Sequence, residues 1–278
     1  MSDFLTVLQF TWVPFVGAAF FSLTAAPLGA LLSLRDEILL GLALPPVGAA
    51  AIVLAVMLGV DPEASFPLYA SAVAAILAVS LVLPGRGGQR MSTRWRAVWL
   101  VGVFCAGDAA ALLMGAASPR VEAHVHDMLR GEVLAMDRVE LAGFVLLTIL
   151  ALALAWRFRG WLYALALDQE GLVIRHERGG QRLVRLFRVA SALIIAAGVI
   201  WVGPLLTLGF LAIPTLMWER RARGLGALAG GVIALGLVGT LAGFTTAIAV
   251  DMPPVPVVIA ALFVVGLAAS ALAGRRRA

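Results

Sequence analysis

The sequence predicts an all-α, polytopic transmembrane bundle of about nine spans, and three observations predict it. Hydrophobic residues make up 62% of the chain and charged residues only 13%, about half the charged share of a soluble domain, so a bilayer is the solvent this surface suits. Apolar stretches of roughly 20 residues, the length that crosses hydrocarbon, recur from one end of the chain to the other. The arginines gather in alternate connections, as the positive-inside rule requires of a chain that crosses repeatedly.

In order, the stretches cover residues 8–33, 38–60, 66–84, 96–117, 139–157, 186–202, 204–218, 224–249 and 255–273. Length and scarcity of charge set them, because a helix among lipid and other helices is apolar on every side. The seventh is short and holds Pro214; an eight-span count, with this stretch and its neighbour as one broken pair, is the alternative. Pro45-Pro46 removes two backbone donors inside the second stretch and predicts a kink or break there. Gly226 and Gly230 form G-x-x-x-G ahead of Gly231, Gly236 and Gly239, which predicts close packing of the eighth stretch, within the subunit first and between subunits second. Little sequence remains between stretches, so residues 1–278 form a single transmembrane domain. Residues 1–11 carry only Asp3, unlike the basic start of a cleaved signal, and the first span is expected to be retained.

An N-terminus outside and a C-terminus in the cytoplasm place 18 of the 21 basic residues on the inner face. The inner groups are Arg35, then Arg86 to Arg96, Arg157 to Arg188, Arg220 to Arg223 and Arg275 to Arg277, leaving Arg120, Arg130 and Arg138 outside. The net charge of +5 therefore reads as orientation beside lipid headgroups and not as nucleic-acid binding. Cys105 is the single cysteine, which rules out an internal disulfide.

Two connections are longer than turns need. The outer one, 117–138, reads as a short amphipathic surface helix; its His124, His126 and Asp127 are residue types that a divalent metal takes, set against a plain docking surface for a binding protein. The inner one, 158–185, carries Asp168, Glu170, Gly171, Arg175, Gly179 and Gly180 and is a structured cytoplasmic docking loop. Asp108 lies inside the fourth stretch, where an ionisable group costs several kcal/mol unless it meets a cavity or partner. Cys105 is three residues before it and shares its helix face, and Asp251 precedes the last stretch at the outer mouth. An intramembrane enzyme would need two acids or a nucleophile and base to converge, and no such motif stands out. A mere anchoring scaffold would need neither Asp108 nor a structured inner loop.

From Val202 the chain reads V-G-P-L-L-T-L-G-F-L-A-I-P-T-L-M-W-E-R-R-A, after that inner loop and one span. With Pro27-Leu28-Gly29, the stretch Leu129 to Leu134, and Asp251-Met252-Pro253-Pro254, it resembles the permease subunits of ATP-binding-cassette importers for zinc and manganese over nearly the whole chain. The resemblance implies a bundle similar to the vitamin B12 type of importer permease in a bacterial inner membrane. It implies a second permease copy or paralogue, a cytoplasmic ATPase subunit docking at residues 168–180, and an extracytoplasmic substrate-binding protein. No G-x-x-x-x-G-K-[ST] loop is present, so ATP belongs to the partner and this chain needs no cofactor of its own. One departure matters: where that family has Gly-Asp and, four residues after the Asp, a His, this sequence has Gly41-Leu42 and Pro46. Neither Leu42 nor Pro46 can bind a metal, and the family's usual Ser near the end of the eighth span and Gly after the Pro near Asp251 are also missing. A non-metal cargo is therefore the alternative to a divalent ion, with Cys105, Asp108 and Asp251 as the candidate pathway residues.

Overall fold

The computed structural model describes residues 2–61, 64–82, 93–117, 138–167 and 177–275. Its elements are α1 (Ser2–Leu34), α2 (Ile38–Met57), α3 (Ser65–Val82), α4 (Thr93–Ala116), α5 (Arg138–Arg157), α6 (Arg159–Leu167), α7 (Glu177–Trp201), α8 (Pro204–Trp218), α9 (Leu225–Val250) and α10 (Pro254–Arg275), with a 3-10 turn, Glu219–Arg221, after α8. Each of the nine predicted stretches falls on one helix, and among the described residues α6 is additional to them. Among the described residues six helices (α1, α2, α4, α7, α9 and α10) are long and apolar enough to cross a bilayer, with α5 and α6 a seventh if that bent pair is one span. The remaining two, α3 with 18 residues and α8 with 15, rise only about 27 and 22 Å against a hydrocarbon core of about 30 Å. Nine is thus the number of predicted stretches that form helices, and not all of them are full-length spans.

The contacts show that successive long helices alternate in direction. At one end of the bundle Ser33 bonds Glu219, Arg96 bonds the Asp36 carbonyl, Arg188 bonds the Ser80 carbonyl and Arg221 bonds the Ser270 carbonyl. At the other, the Arg138 guanidinium sits over the Trp12 ring and Phe15 meets Phe244 edge-on. Arg35, Arg96, Arg188 and Arg221, from four of the connections predicted to share one face, lie together at the first of these ends. Gly203, at φ 89°, makes the turn between α7 and α8, with Pro204 opening α8. This places α8 as a separate helix parallel to α1 rather than half of a broken span.

Several sequence expectations are corrected. Helix α2 runs through Pro45 and Pro46 without the expected break; the prolines cost the Gly41 and Leu42 carbonyls their donors, and both rings are buried in the bundle. Helix α7 begins at Glu177, nine residues before the predicted span, so Gly179 and Gly180 lie in its first turn and not in a loop. The reason is amphipathicity: Leu183, Val184 and Phe187 pack on the bundle while Arg182 and Arg185 stay exposed, a pattern a helix satisfies and a loop does not. Helix α6 turns 74° away from α5 and buries Leu165 and Ala166. Gly226 and Gly230 face open space, whereas Gly236 packs on Ser22 and Ala26, and Gly239 and Gly243 pack on α10.

Two of the four apolar clusters among the described residues make up most of the core. One joins Ile52 of α2, Ile76 of α3 and Ile195 and Val199 of α7. The other centres on Phe21, which meets Phe144 at 5.7 Å and Phe210 at 5.9 Å between ring centres. Lipid offers apolar side chains as good a solvent as protein does, so such interfaces are held by close packing. A close backbone approach joins α1 to α8, where a side chain at Gly29 would overlap the Leu211 carbonyl oxygen.

Candidate functional site

The site begins at the level of Pro46, where α4 crosses α2. A Cβ at Gly107 would lie 3.0 Å from Pro46 C and Val47 N, so the absence of a side chain there sets how closely the two helices approach. Pro46 is buried in this contact and Leu42, one turn earlier, is half-buried against the α2–α3–α7 cluster. Both positions therefore serve packing, and neither offers a donor atom for a cation.

Asp108 follows Gly107 directly, so it stands at the same level, but its side chain is exposed. Cys105 is exposed as well, and the two share the α4 face turned away from α2. Gly102, Ala106 and Ala109 are exposed on that side of the helix, and nothing lies within 4 Å of where a Gly102 Cβ would be. Helix α4 has the smallest buried share of any long span, 17% against 61% for α1 and 56% for α2. A carboxylate at this depth is costly in hydrocarbon, so the face suits water or protein better than lipid.

Asp251 caps α9 in the left-handed conformation, φ 55°, and is exposed at the end opposite the basic cluster. The structure does not bring it to Cys105 and Asp108. His124, His126, Asp127, Asp168, Glu170, Gly171 and Arg175 lie outside the described residues. Among the described residues no three His, Cys, Asp or Glu side chains group as a metal site.

Sequence reading passed over a buried charge cluster at the basic end. Arg35 and Glu37, which flank the α1–α2 turn, are 1% and 2% exposed, with Arg35 Nε donating to Glu37 Oε2 at 2.9 Å. Arg188 of α7 brings Nη2 within 4.0 Å of Glu37 Oε1 and donates from Nη1 to the Ser80 carbonyl of α3 at 3.3 Å. The Arg35 guanidinium lies 4.7 Å over the Phe187 ring. The available signal was Arg35-Asp36-Glu37 in so short a connection, which reads as a solvated turn until α7 is seen to cover it.

Residues 8–273 match the ABC 3 transport family. The fold is similar to that of "PsaBC from Streptococcus pneumoniae in complex with Fab", at 17% identity over 96% of this chain and 94% of that one, TM-score 0.78. It is also similar to an inward-facing metal-chelate type ABC transporter, at 16% identity over 91% of this chain and 84% of that one, TM-score 0.66. No curated protein matches the sequence. With the match running across nearly every helix of the bundle, the chain belongs to the ABC 3 transport family of metal-ion ABC transporter permeases.

Proposed function

We propose that this chain is the permease subunit of an importer for a divalent metal ion such as zinc or manganese. It works with a second permease copy or paralogue, a cytoplasmic ATPase and an extracytoplasmic binding protein. The observation that carries the reading is family membership across residues 8–273, joined to a fold shared with permease structures over more than nine-tenths of the chain. In this reading the basic end faces the cytoplasm of a bacterial inner membrane, in keeping with the positive-inside rule. The ATPase docks on residues 168–180, the last four of which form the first turn of α7. Alternating access then moves the cargo inward.

The path runs along the α4 face of Cys105 and Asp108, beneath an outer mouth that includes Asp251. A carboxylate oxygen and a thiolate suit zinc, and the carboxylate alone suits manganese. These residues stand beside the level where Leu42 and Pro46 have lost donor groups. A second reading, cargo in the form of a metal chelate, is favoured by that loss, because a chelated ion brings its own ligands.

The test is elemental mass spectrometry of metal-starved cells with and without the permease and its ATPase. A rise in zinc or manganese that depends on both subunits supports the ionic cargo. A rise that appears only when a chelator is supplied supports the second reading. No change in any metal, with the complex assembled, contradicts both.

A further inference from the structure

Transport driven by a separate ATPase needs a rigid connection from the docking segment to the helices beside the path. Helix α7 is unbroken from Glu177 to Trp201, so Arg188 rides on the same rod as the turn next to the docking segment, about 16 Å along its axis. At Arg188 the rod meets the α1–α2 turn through two consecutive residues, since Phe187 lies under the Arg35 guanidinium and Arg188 faces Glu37.

The two ion pairs on Glu37 are unequal. That with Arg35 is fully made at 2.9 Å, whereas that with Arg188 stands at 4.0 Å, with Glu37 Oε1 and Arg188 Nε both buried and lacking hydrogen-bond partners among the described residues. Arg188 is divided between Glu37 and a long bond of 3.3 Å to the Ser80 carbonyl. A cavity of about 10 Å³, lined by Glu37, Gly41, Ser80, Arg188 and Ser191 among others, leaves room for roughly one water molecule beside the pair. Sliding of α7 by about an ångström would be enough to close the Glu37 contact or to leave Arg188 wholly with the Ser80 carbonyl of α3, a shift of the size seen when packed helices move. Glu37 is also bound into α2, its carbonyl accepting from Gly41 N at 3.1 Å, and α2 carries Pro46 against the Gly107 turn that bears Asp108.

We propose that Arg188 and Glu37 are the positioning pair that transmits movement of α7 to α2, so that the ATPase state at the docking segment sets the position of the α2–α4 crossing. This rests on the functional reading above. The experiment uses the complete transporter, permease with its ATPase and binding protein, in proteoliposomes. Radiolabelled zinc or manganese taken up is measured per ATP hydrolysed, with ATPase binding measured alongside.

Arg188→Gln is expected to keep ATPase association and hydrolysis while lowering uptake per ATP by about tenfold, within the usual span of coupling between sites. Arg188→Lys keeps the charge but cannot reach Ser80 and Glu37 together, and its ratio falls between the two. Arg185→Gln, exposed and one turn earlier on the same helix, should leave the ratio unchanged. An unaltered ratio in an assembled Arg188→Gln transporter overturns the proposal, as does an equal loss in Arg185→Gln. If Arg188→Gln does not assemble, Arg188→Lys carries the test, and a wild-type ratio there overturns it. Absence of ATP-driven uptake in the unaltered transporter would instead strike at the functional reading itself.

Discussion

Helices α8 and α4 are opposites. The first is short and enclosed by α1, α2, α7, α9 and α10, with Leu206, Phe210 and Leu211 fully buried. The second is long, packs chiefly on α2 and leaves most of its surface open, including a carboxylate and a thiol. The contrast shows where this chain concentrates its packing: α1, α2 and α8 lie at the centre, and α4 presents a face bearing a carboxylate and a thiol that the described residues of the protomer do not cover. Substitutions at matched positions can break or sharpen that contrast.

The largest effect on stability is expected at the basic end. Glu37→Ala removes the carboxylate that pairs with buried Arg35 and faces half-buried Arg188, which costs roughly 3–5 kcal/mol, seen as a lower thermal midpoint of the purified permease in detergent. Next comes Gly29→Ala. Its methyl group would overlap the Leu211 carbonyl, and since backbone cannot turn aside as a side chain can, α1 and α8 must separate at a cost of about 3 kcal/mol. A smaller loss, near 1 kcal/mol, is expected for Gly107→Ala, whose Cβ meets α2 backbone at 3.0 Å. Smallest is Gly102→Ala, where open space and better helix propensity predict no loss and a gain of up to about 1 kcal/mol. If Gly102→Leu lowers permease self-association while the protomer's thermal midpoint holds, the open face of α4 is a subunit boundary. A destabilised Gly102→Ala would mean that α4 is covered within the protomer after all.

What the sequence disclosed follows from which signals are local. Span length and charge scarcity are local, so all nine stretches were legible as helices. The shared face of Cys105 and Asp108 follows from their spacing, but its outward direction does not, because a helix apolar on every side has no face to read. Arg35, Glu37 and Arg188 were hidden for a different reason: they lie on separate helices and meet only when α7 folds over the α1–α2 turn. The early start of α7 was masked by Gly179, Gly180 and the surrounding arginines, which read as loop until Leu183, Val184 and Phe187 are seen on one buried face.

Asp108, the exposed carboxylate next to the point where Gly107 packs on Pro46, is the residue on which the proposed path depends. The most direct measurement is ATP-driven zinc and manganese uptake by the reconstituted transporter carrying Asp108→Asn, which has nearly the same shape without the charge. The account predicts an unchanged thermal midpoint and intact ATPase association, with uptake reduced by about tenfold or more, the loss of roughly 1.4 kcal/mol or more of cation stabilisation along the path. Full uptake by Asp108→Asn in an assembled transporter would contradict it and remove α4 from the path.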